Sequence, residues 1–305
     1  MTKWFFTNRQ VLLRLLGTFI AIGLIFLLIR EGGWNEVRDA FKQVSITRLI
    51  LGMALILISR MFVATRWYIL MRSGNVKITY SDSTALTFTG LFANNFLPTT
   101  IGGDVLRLAG AMQLGYDRAV CLASIAADRL IGAFGMLFTM PFGLIPAFHI
   151  LGHGVTHSFV FSALLTRLSN FIKRTLQTFS IWLGRPLALL GALACTWGHV
   201  FCTCLCLYVL VTGLGGHVGF WLITGLWSVA YFVTLIPISI NGLGVQELSL
   251  TFLFSTVAGL STPISLTIAV LIRAFYVAAS LIGAFYLPGV LSAMAANQKI
   301  DNSEK

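Results

Sequence analysis

The chain has 305 residues, 57% of them hydrophobic and only 10% charged, with a formal net charge of +11. A mean hydropathy of +0.88 describes a protein whose solvent is mostly lipid, and several apolar runs of about 20 residues leave no length for a separate soluble domain. The Lys and Arg residues are scattered near run ends rather than clustered with aromatics, which fits anchoring at an anionic lipid surface and excludes a nucleic-acid groove.

Val11 to Ile29 is a first apolar run, flanked by Arg14 at its start and Arg30-Glu31 at its end where a signal peptide would carry small residues. It reads as an uncleaved first span with the N-terminus inside. Gly32 to Thr47 mixes acidic and basic residues as a short external loop with an amphipathic turn. Arg48 to Met71 returns the chain. Arg66 and Arg72, beside Trp67-Tyr68, read as snorkelling anchors at the inner interface, while the deeper Arg60 reads either as a further anchor or as a residue with a partner or a polar cavity.

Phe92 to Arg107, F-A-N-N-F-L-P-T-T-I-G-G-D-V-L-R, is a broken, charged stretch inside this apolar chain. The apolar segment leading into it, Thr84 to Leu97, spans only about 21 Å as a helix, short of a core of about 30 Å. Pro98 ends it, Gly102 and Gly103 free the backbone, and a second short helix is expected from Gly103 or Asp104 to about Leu114. Two half-length helices joined by irregular backbone make a re-entrant hairpin, tolerated at membrane depth only where protein or water satisfies the loop.

Ala119 to Ile150 is a long apolar stretch with Asp128-Arg129 near mid-depth and Pro141 and Pro146 to bend or end it, followed by a weakly marked crossing near 151–166. His149, His153 and His157 share a helical spacing, but Gly152 and Gly154 favour an outer loop over a metal site. Arg167 to Arg185 is basic without an acidic residue, which makes it a cytoplasmic, surface-lying segment. Leu187 to Thr212 spans outward, and the five cysteines, four of them in this run (Cys195, Cys202, Cys204, Cys206), read as small packing residues. His217 to Pro237 and Val245 to Gly259 form a second hairpin, carrying F-V-T-L-I-P-I-S-I-N-G-L-G-V-Q-E over Phe232 to Glu247. Pro263 to Leu287 is the last span before a short polar tail.

The spans starting near Thr47 and Leu187, the prolines Pro98 and Pro237, and the arginines Arg129 and Arg273 recur at offsets between 139 and 144. The expected fold is therefore all-α, with about six spanning helices and two re-entrant hairpins in an inverted repeat. It forms one transmembrane domain over 1–305. A first span and loop (1–46) precede repeat 1 (47–150, hairpin 84–115), a connecting and surface segment (151–186), repeat 2 (187–287, hairpin 218–259) and a tail (288–305).

Charges at mid-depth cost about 2.5 to 3.5 kcal/mol each on insertion scales, so Asp104, Arg107, Asp128, Arg129, Glu247 and Arg273 need partners or water. One reading pairs them among themselves, Arg107 or Arg273 with Glu247, to hold the hairpins. The other makes them a substrate site with Asn94, Asn95 and Asn241. In that reading two helix starts near Gly103 and Gly244, beside the hairpin breaks at Pro98, Gly102, Gly103, Pro237, Gly242 and Gly244, and an arginine fork grip phosphate, while Asp104 and Glu247 match an ammonium or carry a proton. Arg107 and Glu247 then stand at equivalent positions of the two hairpins with opposite charge.

The L-P-T-T-I-G-G-D-V-L-R run ending at Arg107, the D-R-L around Arg129, the P-I-S-I-N-G-L-G-V-Q-E run ending at Glu247, and Arg273 in the last span resemble the transmembrane region of lysylphosphatidylglycerol synthases. The resemblance implies a lipid-translocating domain. Ile240, Asn241 and Gln246 stand where Pro, Gly and often Arg are expected, which leaves the headgroup open. The chain ends without the cytosolic aminoacyl-transferase domain of the synthases and is not expected to make the aminoacylated lipid. The function expected is flippase-like movement of an anionic or aminoacylated phospholipid, or a polyprenyl-phosphate-linked sugar, between leaflets of the cell (inner or plasma) membrane, with both termini cytoplasmic. No cofactor, metal or nucleic acid is expected. The partners are the lipid itself and a second copy or a lipid-biosynthesis enzyme. The alternatives are a non-transporting accessory protein of a lipid or envelope-glycan pathway, and a membrane-embedded headgroup enzyme. The sequence offers the enzyme neither a ligand-spaced metal cluster nor a nucleophile with a paired base.

Overall fold

In a computed structural model of the chain, residues 34–97, 102–151, 184–235 and 239–289 are described, together with Gly23 and Phe26. They are helical, with no strand among them. The expected first span, the crossing near 151–166, most of the basic segment 167–185, the tail, and both break prolines Pro98 and Pro237 lie outside the described residues.

The expected amphipathic turn is a helix, α1 (Trp34–Gln43). It buries Val37 and Ala40 against the last long helix and leaves Arg38, Asp39 and Lys42 in solvent. Two 28-residue apolar helices follow the expected spans, α2 (Ile46–Ser73) and α7 (Pro186–Gly213). Each is about 42 Å long, enough to cross with some tilt. They form the most extensive helix–helix contact among the described residues. Between and after them lie α3 (Tyr80–Ala93), α4 (Gly102–Gln113), α5 (Arg118–Leu137) and α6 (Pro141–Leu151), then α8 (Phe220–Thr234), α9 (Val245–Thr256) and α10 (Thr262–Ser280). Among the described residues, four helices are long and apolar enough to cross a membrane: α2, α5, α7 and the segment Thr262–Gly289 that contains α10.

The stretch from Ala119 to Ile150 divides at Pro141, which takes the first position of α6, where its missing N–H costs no helical bond. Pro146 is accommodated inside α6. The two helix pairs expected at the breaks form with short arms. α3 and α4 have 14 and 12 residues, and α8 and α9 have 15 and 12. Each arm packs on its partner. The order and lengths of α2 to α5 recur in α7 to α10, the third pair of arms matching at 12 residues and the fourth at 20 and 19.

Between helices bathed in lipid, burial of apolar surface drives little, and close approach through small residues does the packing. Gly52 faces Phe275 and Cys206, Gly198 faces Phe62, and Gly135 faces Thr196. The tightest crossing joins α6 and α8, where Gly143 and Gly225 meet backbone to backbone. A Gly225→Ala substitution puts its methyl into the Gly143 backbone and is expected to destabilise the protein by about 1–3 kcal/mol. Gly184→Ala, in open space, serves as the control. Thermal unfolding in detergent micelles measures the difference.

Candidate functional site

The end of α3 and the start of α4 are tied together by side chain and backbone. The Asn94 carboxamide oxygen accepts the Gly103 backbone N–H at 2.8 Å, satisfying one of the orphan donors at the start of α4. Gly103 lies against Gly90 so closely that a β-carbon on either would strike the other's carbonyl oxygen. Asn95 donates from Nδ2 to the Ser280 hydroxyl at 2.7 Å, tying the end of α3 to α10.

From α4 runs a chain of alternating charges, +, −, +, −, +. Arg66 Nε on α2 donates to Asp128 Oδ1 at 2.7 Å. Asp128 Oδ2 accepts from Arg107 Nη1 at 3.2 Å, the same Nη1 reaches Asp104 Oδ1 at 3.4 Å, and Asp104 Oδ2 accepts from Arg129 Nε at 2.7 Å. Adjacent residues on a helix point apart, and the fold uses that: Asp128 faces Arg66 and Arg107, while Arg129 faces Asp104. Arg66 also donates to Thr196 on α7 at 3.1 Å. Arg107 is 6% exposed and lies 4.3 Å over the ring of Trp67, whose indole N–H goes to Ser124. Its Nε and Nη2 have no hydrogen-bond partner.

Two expectations are corrected here. Arg66 is no snorkelling anchor, and Trp67 is no interfacial ring. Both are buried, because Asp128 on α5 supplies a charge partner at the same depth. Snorkelling and burial give an arginine about two turns from a helix end the same sequence signature, so only the neighbouring helix could decide.

The second half repeats part of this. Glu247 Oε1 accepts from Arg273 Nε at 2.6 Å, its Oε2 accepts the Gly244 N–H at 2.7 Å, and Arg273 Nη2 reaches the Asn241 carbonyl at 3.3 Å. The pairing of Arg273 with Glu247 is present; Arg107 instead joins the aspartates. The counterpart of Glu247 is Asp104, not Arg107. Each carboxylate is the third residue of its helix, α4 or α9, and each meets an arginine at the twelfth residue of the next, Arg129 on α5 or Arg273 on α10. The register differs because Asn241, Gly242 and Gly244 adopt positive φ (48°, 69° and 79°) in a turn that includes a short 3-10 segment at Ile240–Gly242. That turn takes up extra length between Pro237 and α9. Gly102 and Gly103, by contrast, are already helical.

These groups converge on a cavity of about 610 Å³ lined from both halves of the molecule. Asn94, Asn95, Asp104, Arg107, Asp128, Arg129, Asn241 and Arg273 line it; Glu247 stands behind Arg273. Arg129 has 46% of its side chain exposed. Arg60, also on the wall, stacks 4.0 Å over the Tyr276 ring of α10 and has no carboxylate partner among the described residues. Sequence reasoning missed His199, whose Nδ1 lies 2.6 Å from the Ser59 hydroxyl, and the aromatic wall of Trp227, Tyr231 and Tyr276. A histidine inside an apolar run was the available signal for the first. All six carboxylate oxygens of Asp104, Asp128 and Glu247 already accept from an arginine or a backbone N–H. Among the described residues no group of His, Cys, Asp or Glu has the makings of a metal site. His149 lies in the last turn of α6, and His153 and His157 fall outside the described residues.

A family model described as the lysylphosphatidylglycerol synthase TM region matches residues 14–283. No curated protein matches the chain.

Asp128→Asn leaves Arg66 and Arg107 buried without their shared carboxylate charge, and is expected to lower stability by about 3–5 kcal/mol. Combining it with Arg66→Gln is expected to recover part of that loss, because one uncompensated charge goes with it. Denaturant unfolding of the single and double variants in micelles gives the coupling.

Proposed function

Because the chain belongs to the lysylphosphatidylglycerol synthase transmembrane-region family, whose name ties it to lipid chemistry in the membrane, we propose that it is a flippase-like lipid translocator. In this reading α3–α4 and α8–α9 are re-entrant hairpins, the two halves have inverted topology, and their breaks meet near mid-depth. A phospholipid or polyprenyl-phosphate-linked headgroup passes through the cavity while its tails stay in the bilayer. The protein makes and breaks no covalent bond, needs no cofactor, and works in the cell (inner or plasma) membrane with both termini cytoplasmic.

One observation carries the reading. A chain that is 57% hydrophobic keeps a cavity of about 610 Å³ walled by arginines from α2, α4, α5 and α10, between its two broken helix pairs. A headgroup crossing bare hydrocarbon loses its hydration with nothing in return. Guanidinium and carboxamide donors fixed along the path replace that water, so the barrier falls without any step of chemistry. Large apolar side chains such as Phe201, Ile145 and Phe285 are exposed on the outer surface, where acyl chains solvate them.

Reconstituted in vesicles with headgroup-labelled lipids, the protein is expected to accelerate exchange between leaflets. Arg129→Ala, which removes the cavity's most exposed network arginine, is expected to slow exchange about tenfold or more. Lipid left where it started, together with full cellular function of the Arg107→Ala and Glu247→Ala variants, would replace this reading with the accessory one. A new lipid product made by the purified protein would replace it with the enzyme.

A further inference from the structure

The charges around the cavity do not balance. Among the described residues, Arg60, Arg66, Arg107, Arg129 and Arg273 line it, and the carboxylates paired with any of them are Asp104, Asp128 and Glu247. Five guanidiniums against three carboxylates leave an excess of two positive charges, and protonation of any carboxylate would only enlarge it. No other charged residue among those described lines the cavity. Arginine does not shed its proton in proteins, so an excess at membrane depth calls for an anion.

The hydrogen-bond inventory points the same way. Every carboxylate oxygen of the network already accepts from a guanidinium or a backbone N–H, so an ammonium entering the cavity has to share an oxygen with one of these donors. Donors are in surplus. Arg107 holds Nε and Nη2 without partners while only 6% exposed, and Arg60 is steadied by the Tyr276 ring rather than neutralised by an acid.

We infer that the cavity's occupant is a phosphoryl group carrying about two negative charges, a phosphomonoester or diphosphate, and not a zwitterionic or aminoacylated headgroup. Such a group supplies the missing charge and acceptor oxygens for the Arg107 and Arg60 donors. A lipid and a water-soluble phosphate ester share this chemistry. The lipid source rests on the translocator reading; the charge class does not.

The test is binding to the purified protein in nanodiscs with four probes: phosphatidic acid, phosphatidylglycerol, phosphatidylcholine and lysyl-phosphatidylglycerol. Inorganic phosphate is titrated as a soluble competitor. Phosphatidic acid is expected to bind at least about tenfold more tightly than the other three, with Arg60→Gln erasing most of that preference and Arg60→Lys keeping it. Because Arg60 has no carboxylate partner among the described residues, neither variant strands a buried acid. Competition by inorganic phosphate assigns a soluble phosphate ester, and its failure to compete assigns a lipid; both keep the charge class. Equal binding of any other probe, or an unchanged preference in Arg60→Gln, overturns the inference. Selective binding without lipid movement in vesicles would sink the translocator reading alone, and lipid movement without selectivity would sink this one alone.

Discussion

Asp128 is the residue on which the interior depends. It sits 2% exposed on α5 and receives Arg66 from α2 on one oxygen and Arg107 from α4 on the other. Three helices distant in sequence are thereby set at fixed depth and rotation by one carboxylate. In a low-dielectric interior, charges that find partners hold their helices in register, and charges that do not are strongly destabilising. The Arg107–Asp104–Arg129 continuation extends the same constraint to the start of α4 and the cavity wall.

The two halves share a plan and differ where the charge lies. The carboxylate at the third residue of α4 and α9 and the arginine at the twelfth of α5 and α10 appear in both. Where the first half has Arg66, Arg107 and Asp128, the same positions of α7, α9 and α10 carry Cys206, Leu250 and Ile272, all buried. Accordingly α7 to α10 share a large apolar core with α2, whereas α3 to α5 have a smaller one around Trp67 and Met71. The charged half faces the cavity with its network, and the apolar half closes the opposite wall with Trp227, Tyr231 and Tyr276.

Much of this was legible because lipid imposes strict rules. Helices spanning hydrocarbon announce themselves as long apolar runs, so α2 and α7 fall within two residues of the expected spans. The paired glycines after each break located α4 and α9. Arg66 and Glu247 were less legible. An arginine near a helix end reads the same whether it snorkels to water or turns inward to Asp128. Glu247 matches Arg107 when the motifs are laid end to end, and only the positive-φ turn through Asn241, Gly242 and Gly244 moves it opposite Asp104.

By itself the sequence determined the class and most of the machinery: an all-helical membrane chain, two broken helix pairs, and nearly all of the charged residues around the cavity. Composition and the length of apolar runs suffice for the first, because the bilayer leaves few alternatives. Isolated charges in an apolar run suffice for the last, because each is too costly to keep without a purpose. Only the tertiary structure decided which charge meets which. Pairing depends on the relative rotation and depth of neighbouring helices, which side-chain packing sets to within an ångström and no spacing along one chain records. That arrangement leaves Arg60 without an acid among the described residues and Arg107 with two unpartnered donors.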